Sequence, residues 1–206
     1  MQTNKELIVE PIGLDVESLP RPLNWREMFA NDNPVEMEIG MGKGTFITQQ
    51  AKLHPEVNYF GLEYARWFWR YASDRLRRNE CNNVRTARAE AMFFVREFVG
   101  DASISVLHIY HPDPWPKKRH HKRRLMQTPF MEHVQRILIP GGILRVVTDH
   151  KEYFEQIDAL IKGSPLEVID YAPPSFAKEG ELIGTNFERK YILEGRERYA
   201  IATVRK

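Results

Sequence analysis

Short apolar runs alternate with longer segments of helical character along most of the chain. Runs of four to eight β-branched and apolar residues are typical of buried strands, whereas longer segments with apolar residues three and four apart are typical of helices. These patterns predict strands at 35–39, 58–63, 84–89, 103–110 and 143–147, and helices at 45–54, 66–78, 91–98, 130–139 and 153–161. In the helix at 66–78 we expect the inner face to consist of Phe68, Tyr71, Ala72 and Leu76.

This alternation predicts a doubly wound α/β fold with a mostly parallel sheet. The C-terminal part differs, because strands at 167–171 and 199–204 enclose a loop-rich stretch at 173–190. We therefore predict an antiparallel strand near the C-terminus. Residues 1–34 contain four prolines, and we expect them to form an irregular extension over the sheet with a short helix near Trp25. The chain contains no obvious linker, so we predict one domain over 1–206.

Composition narrows the class of protein without identifying a partner. The chain has 206 residues, of which 42% are hydrophobic and 28% are charged, with a formal net charge of +2. A lone cysteine, Cys81, cannot form an internal disulfide, which favours a reducing compartment such as the cytoplasm. The N-terminal residues do not resemble a signal peptide, and no stretch reaches the ~18 apolar residues of a membrane span. We expect neither a membrane anchor nor a secreted protein.

A glycine turn follows the first predicted strand at the position where such folds bind ligands. Gly40, Gly42 and Gly44 are spaced G-x-G-x-G, one residue shorter than the dinucleotide pattern. Glu38 stands just before the turn, where its carboxylate would repel a pyrophosphate and attract a sulfonium or an amino group. These features favour S-adenosylmethionine over NAD as the cofactor.

Two further acidic residues end the next predicted strands. Glu63 closes the second strand, about 20 residues after the glycine turn, where a carboxylate can accept hydrogen bonds from both hydroxyls of a ribose. Glu90 closes the third strand, where we expect it to face an adenine edge. We predict a nucleotide pocket formed by the glycine turn and these carboxylates.

The segment after the fourth predicted strand is the most distinctive in the chain. Residues 111–116 read His-Pro-Asp-Pro-Trp-Pro, and three prolines in six positions stiffen the backbone. We expect this loop to hold Asp113 beside the methyl donor. The next eight residues are all Lys, Arg or His, and clustered cations attract phosphates. The predicted contacts to an RNA backbone are Lys118, Arg119, Lys122, Arg123 and Arg124.

Other residues of this loop have two interpretations. Trp115 is suited to stacking on a base, and equally to anchoring the loop by packing. His120 and His121 could be taken for metal ligands, but no suitable cysteine or carboxylate spacing accompanies them. We therefore predict no metal site.

At the level of motifs, the chain resembles the bacterial tRNA (guanine-N7-)-methyltransferases. The matching motifs are EIGMGKG at 38–44, GLE at 61–63, PDPWPKKRHHKRR at 112–124, TD at 148–149 and TNFE at 185–188. They occur in the order typical of the family and span most of the chain from residue 35 onward. The proline–aspartate–tryptophan loop with its basic tail is highly specific to the family, whereas the glycine turn is not.

The resemblance implies a Rossmann-like methyltransferase fold and assigns roles to individual residues. It implies that Asp113 is catalytic and contacts the cofactor together with Glu38, Glu63 and Glu90. The family often has an aspartate in place of Glu90, so this side chain is one methylene longer. The implied contacts to the tRNA substrate are Lys117, Asp149, Thr185, Asn186, Phe187 and Glu188. The resemblance also points to guanine 46 in the variable loop of tRNA.

Guanine N7 has a lone pair and no proton, so its methylation needs alignment rather than a general base. We expect Asp113 to stabilise the positive charge that develops on the guanine and to accept hydrogen bonds from its N1 and N2. Four alternatives stay open: a methyltransferase acting on a small molecule or a protein, another S-adenosylmethionine-dependent RNA methyltransferase, a non-enzymatic RNA-binding protein, and an NAD-dependent oxidoreductase. The sequence allows either a monomer or a homodimer.

Overall fold

The computed structural model describes residues 6–206, apart from the side chain of Asn186. Its strands are β1 (Gly13–Leu14), β2 (Val35–Ile39), β3 (Asn58–Glu63), β4 (Val84–Arg88), β5 (Ile104–Tyr110), β6 (Leu138–Thr148), β7 (Glu167–Ile169) and β8 (Tyr199–Val204). Its α-helices are α1 (Trp25–Phe29), α2 (Thr45–Leu53), α3 (Arg66–Arg78), α4 (Ala91–Phe98), α5 (Thr128–Ile137), α6 (Lys151–Lys162) and α7 (Asn186–Leu193).

All eight of these strands join one sheet in the order β1-β4-β3-β2-β5-β6-β8-β7. Strands β1 to β6 pair in parallel, and β8 runs antiparallel to both β6 and β7. The predicted α/β architecture, mostly parallel with an antiparallel strand near the C-terminus, is therefore confirmed.

The order of the strands reverses at β2, because β3 and β4 lie on one side of it and β5 and β6 on the other. In open α/β sheets such a reversal opens a crevice beyond the carboxyl ends of the strands. Here β2 to β6 end at one side of the sheet, which we call the carboxyl edge, at Ile39, Glu63, Arg88, Tyr110 and Thr148.

Helices cover both faces of the sheet, as is usual for parallel strands joined by helical crossovers. On one face, α4, α5 and α6 bury residues such as Phe94, Val134 and Ile157 against the strands. On the other face, α2 and α3 contribute Ile47 and Leu76 to a smaller cluster. The rigid centre holds the loops of the carboxyl edge in place. No helix in 6–206 is both long and apolar enough to cross a membrane.

Three local predictions were wrong. The N-terminal extension contributes strand β1 at the sheet edge as well as the expected helix, whose Trp25 packs against Phe60 with ring centroids 5.3 Å apart. The strand predicted at 143–147 begins at Leu138, since the segment predicted to stop a helix continues as an extended arm, in which Gly141 and Gly142 exchange backbone hydrogen bonds with Arg205 just after β8. Helix α7 occupies part of the loop predicted at 173–190.

The inner face of α3 also differs from the expectation. Ala72 and Leu76 are fully buried as predicted, but Phe68 is 38% exposed and Tyr71 is only partly buried. Ser73 and Asp74 take buried positions instead. The hydroxyl of Ser73 lies 2.8 Å from that of Thr86, and Asp74 pairs with arginines of its own helix, so polar partners make this burial possible.

Candidate active site

The glycine turn at the end of β2 faces open space. Gly40 and Gly42 have φ values of +78° and +52°, which side chains rarely adopt. A Cβ added at either glycine would meet nothing within 4 Å, so the protein itself leaves room above the turn. At Gly44, by contrast, a Cβ would lie 3.0 Å from that of Ala72, so this glycine serves helix packing. The turn therefore presents bare backbone to a ligand.

Glu63 is fixed at the end of β3 by two backbone amides. Its Oε2 accepts from the Gly42 N–H at 2.9 Å, and its Oε1 accepts from the Ala65 N–H at 2.8 Å. Each carboxylate oxygen can accept more than one hydrogen bond, so both oxygens retain capacity for a ligand hydroxyl. These hydrogen bonds join the Glu63 carboxylate directly to the glycine turn.

Glu38 is buried beneath the same turn, with 5% of its surface exposed. Its Oε2 has no hydrogen-bond partner among the described residues. Burial, followed by the negative charge of Glu63, raises the pKa of Glu38 to about 8. An uncompensated buried carboxylate is costly, and a cationic ligand or an N–H donor would relieve that cost.

Glu90 lies farther along the edge, two strands from β2. It is exposed and caps α4, because its two oxygens accept from the N–H groups of Met92 and Phe93 at 2.9 and 2.7 Å. These bonds fix the position of the carboxylate. The strand order places Glu90 beyond Glu63, about 10 Å from the end of β2 at the usual strand spacing.

The loop that follows β5 begins with a residue that the sequence interpretation missed. His111 has a left-handed φ of +49°, and its ring is largely buried. Its ring centroid lies 5.4 Å from those of Phe187 and Tyr191, and its Nδ1 is 3.5 Å from Oδ1 of Asp149. His111 thus links the proline loop to two of the predicted substrate residues. Its place directly before the Pro-Asp-Pro motif was the only available signal.

Asp149, at the end of β6, is held in its ionised form. The neighbouring His111 and a hydrogen bond donated by Arg196 at 3.1 Å lower the pKa of Asp149 to about 2, against the opposing effect of burial. A fixed negative charge therefore stands beside the loop that carries Asp113. Asp113 itself is exposed on that loop.

The basic segment separates into exposed and buried members. Its exposed cations are Lys117, Lys118, Arg119, Lys122 and Arg123. Trp115 is already engaged, with the Arg123 guanidinium 5.0 Å from its ring centroid and the His120 ring at 5.9 Å. Within the described part of the chain, no cluster of three His, Cys, Asp or Glu residues is arranged to hold a metal.

Arg124 does not fit the expected contact with RNA phosphates. Its side chain is 1% exposed, and its Nε donates to the Pro114 carbonyl at 2.7 Å. Its Nη1 donates to Gln156 at 2.6 Å, and the guanidinium packs over the Tyr153 ring at 4.9 Å. Arg124 therefore clamps the proline loop onto α6 and has no surface left for a nucleic acid.

The predicted substrate residues at 185–188 also have unequal roles. The Thr185 hydroxyl accepts from the Glu188 N–H and caps α7. Glu188 is completely buried, and it accepts from the backbone N–H groups of residues 182–184 and pairs with Arg198. Its carboxylate thus shapes the loop rather than facing solvent. Phe187 is 52% exposed, and the Asn186 side chain lies outside the described structure.

Comparison with known proteins agrees with this geometry. Residues 32–201 match the family described as "Putative methyltransferase". The tRNA (guanine-N(7)-)-methyltransferase of Geobacillus thermodenitrificans is 36% identical over 88% of this chain and 84% of its own. The protein of the same name from Alkalilimnicola ehrlichii is 33% identical over 93% and 81% of the two chains.

Solved structures share the fold at low sequence identity. A 30S ribosomal A1408 methyltransferase from an uncultured bacterium superposes with a TM-score of 0.59 and 14% identity, covering 87% of this chain and 91% of its own. A SAM-dependent methyltransferase from Aquifex aeolicus gives a TM-score of 0.58 at 10% identity, covering 86% of each chain. The glycine turn, the acidic carboxyl edge and these relatives agree, and the chain belongs to the tRNA (guanine-N(7)-)-methyltransferase family.

Proposed function

We propose that the protein transfers a methyl group from S-adenosylmethionine to N7 of a guanine in tRNA, forming 7-methylguanosine. The observation that carries this proposal is a buried carboxylate with an unpaired oxygen, Glu38, under an open glycine turn. The same edge of the sheet carries an exposed basic loop. A cationic cofactor and a polyanionic substrate would thus meet at this edge of the sheet. With tRNA as the substrate, we expect the protein to act in the cytoplasm.

The residues present fit S-adenosylmethionine. Glu38 offers a buried carboxyl group that a sulfonium or amino group would hold in its ionised form, and Glu63 offers acceptors for a ribose. Gly40 and Gly42 would let the ligand approach the backbone, and Glu90 would flank the base. A pyrophosphate above Glu38 would face a buried carboxylate, which argues against NAD. When bound, the cofactor supplies an electrophilic methyl group.

Asp113 is our candidate catalytic residue. Its loop is stiffened by Pro112, Pro114 and Pro116 and clamped by Arg124, so the carboxylate has a defined position at low entropic cost. Guanine becomes positively charged as N7 is alkylated, and a preorganised carboxylate stabilises that charge as it forms. The same carboxylate would accept hydrogen bonds from guanine N1 and N2, which distinguishes guanine from adenine.

The tRNA would be held by two kinds of contact. The exposed cations of the basic loop would pair with phosphates, which position RNA without reading its sequence. Lys117, Asp149 and the loop at 185–188 would surround the target base, with Phe187 as the exposed ring available for stacking. Glu188 would contribute by fixing the backbone of that loop. We assign the target to guanine 46 of the variable loop.

The test is methylation of a purified tRNA transcript with labelled S-adenosylmethionine, followed by chain cleavage at 7-methylguanosine. We expect one cleavage site at guanine 46, and no label in a matched transcript with adenine at that position. Label in a small-molecule or protein fraction but not in tRNA would contradict the proposal. Methylation of tRNA at another atom or position would contradict the assignment to N7 of guanine 46.

A further inference from the structure

A cluster of exposed aromatic residues lies on α3, and none of them has been assigned a role above. Trp67 is 56% exposed and Phe68 is 38% exposed, while Tyr71 is partly buried. The Trp67 and Tyr71 rings stack with centroids 5.3 Å apart and planes 20° apart, and Phe68 meets Trp67 edge-on at 5.2 Å. We call these three residues the α3 aromatic surface. Contiguous exposed aromatic residues of this kind commonly mark a binding surface.

This surface lies next to the candidate active site. Helix α3 begins three residues after Glu63, at the carboxyl edge of the sheet. Farther along the helix, Arg75 donates to the Thr45 hydroxyl at 3.0 Å and to the Lys43 carbonyl at 3.4 Å, which ties α3 to the glycine turn. In the strand order, the α3 aromatic surface and the basic loop after β5 flank β2 from opposite sides.

Helix α3, which carries the aromatic surface, is strongly basic. Helix α3 contains five arginines and one acidic residue, Asp74, whose carboxylate is occupied by Arg77 and Arg78. Arg66 and Arg88 are exposed at the start of the helix and at the adjacent strand end. Rings flanked by guanidinium groups suit a ligand that offers both flat apolar faces and negative charge, which an unstacked nucleotide does.

A second copy of the chain fits this surface less well. A two-fold contact would place the same face of each copy against the other, and their arginines would then oppose one another. We propose that the α3 aromatic surface stacks an unpaired base of the tRNA substrate, separate from the guanine that is methylated. This inference rests on the proposed function, and the experiment below gives different results for a failure of the inference and a failure of the proposed function.

The test compares substitutions at Trp67 that separate stacking from apolar contact. Trp67→Ala removes both, Trp67→Leu keeps an apolar side chain without a ring, and Trp67→Tyr keeps an aromatic face. Leu53→Ala is the matched control, because Leu53 is 51% exposed at the C-terminal end of α2, which runs away from the carboxyl edge. For each protein we would measure the Kd for tRNA at one salt concentration, the Kd for S-adenosylmethionine, and the single-turnover rate at saturating tRNA.

We expect Trp67→Ala and Trp67→Leu to raise the Kd for tRNA by about 5- to 150-fold, the range of one lost base–aromatic stack. Trp67→Tyr and Leu53→Ala should stay within about threefold of the wild type. The Kd for S-adenosylmethionine and the saturated rate should not change. A photo-crosslinking residue at position 67 should label one region of the tRNA outside the methylated nucleotide.

Several results would overturn the inference. Unchanged tRNA affinity of Trp67→Ala with normal methylation would refute the stacking surface and leave the proposed function intact. Equal weakening by Trp67→Ala and Trp67→Tyr, with Trp67→Leu unaffected, would indicate apolar contact instead. A difference in molecular mass between Trp67→Ala and the wild type, measured by light scattering, would indicate that the surface mediates self-association. A higher Kd of Trp67→Ala for S-adenosylmethionine would assign the rings to the cofactor site. A wild-type protein that does not methylate tRNA would refute the proposed function itself.

Discussion

The protonation of Glu38 should control how tightly the protein binds S-adenosylmethionine. In the ligand-free protein, burial and the charge of Glu63 raise the pKa of Glu38 to about 8, so the carboxyl group is mainly protonated at neutral pH. A positively charged ligand beside it favours the ionised form. Binding is therefore coupled to loss of the proton, and affinity should increase as pH rises toward the pKa of the free protein.

The size of the effect follows from that pKa. At pH 7, a group with a pKa of about 8 is protonated in about nine of ten molecules, and ionising it costs about 1.4 kcal/mol, or roughly tenfold in affinity. Between pH 6 and 7 the Kd should fall nearly tenfold, and above pH 8 the gain from Glu38 should level off. Glu38→Gln keeps the shape of the side chain but removes this titration.

Isothermal titration calorimetry from pH 5.5 to 9 tests the coupling. Because the amino group of S-adenosylmethionine also titrates near pH 8, the informative quantity is the difference between wild type and Glu38→Gln. That difference should grow with pH, reaching about 10- to 100-fold in Kd at pH 8, the value of one charge-assisted hydrogen bond. At pH 7 the wild type should also release nearly one proton on binding, measured in buffers of different ionisation enthalpy.

Stability gives an independent control without ligand. The folded state holds the Glu38 proton more tightly than the unfolded state, so the free energy of unfolding should fall as pH rises from about 4.5 to 8. Glu38→Gln should remove that loss. At pH 8 the variant should have a free energy of unfolding a few kcal/mol higher than the wild type, seen as a higher denaturant midpoint. A pH-independent difference in ligand affinity, with no stabilisation by Glu38→Gln, would show that Glu38 does not titrate on binding.

Three other variants test the remaining assignments. Asp113→Asn should lower the single-turnover methylation rate at least 100-fold with an unchanged Kd for S-adenosylmethionine, and a normal rate would remove the catalytic assignment. Replacing Lys118 and Lys122 together with alanine should reduce the slope of log affinity for tRNA against log salt by about two, and an unaltered slope would exclude phosphate contacts. Arg124→Ala should instead cost about 3 kcal/mol of folding stability in urea denaturation, because it unpairs a buried network, and wild-type stability would contradict its clamping role.

The main elements could be predicted because local pattern and tertiary environment agree in them. The five predicted central strands and the helices between them are all present, since each strand is a short run rich in apolar and β-branched residues and each helix has one apolar face. Strand β1 could not be predicted, because two residues carry no periodicity. Helix α7 carried a signal that was overlooked, since Thr185 and Glu188 have the spacing of a capping box.

The site was harder to predict than the fold because side-chain roles depend on burial. The sequence correctly placed the glycine turn after its strand, with Glu38 just before that turn and Glu63 at the end of the next strand, since this needs only strand boundaries. It did not separate Arg124 from its exposed neighbours, because all eight residues at 117–124 are basic and only the fold shows which one points inward. The same holds for Glu188, whose motif position suggested a ligand contact although its partners are backbone amides and Arg198.

The most direct test of the account is a structure of the protein with S-adenosylhomocysteine and tRNA. We predict the ligand above the glycine turn, with its amino acid portion on Glu38 and its ribose on Glu63. The guanine should lie between the ligand sulfur and Asp113, and the phosphates along the exposed cations of the basic loop. A ligand bound elsewhere, or a guanine remote from Asp113, would contradict the claim that the acidic carboxyl edge brings donor and tRNA together.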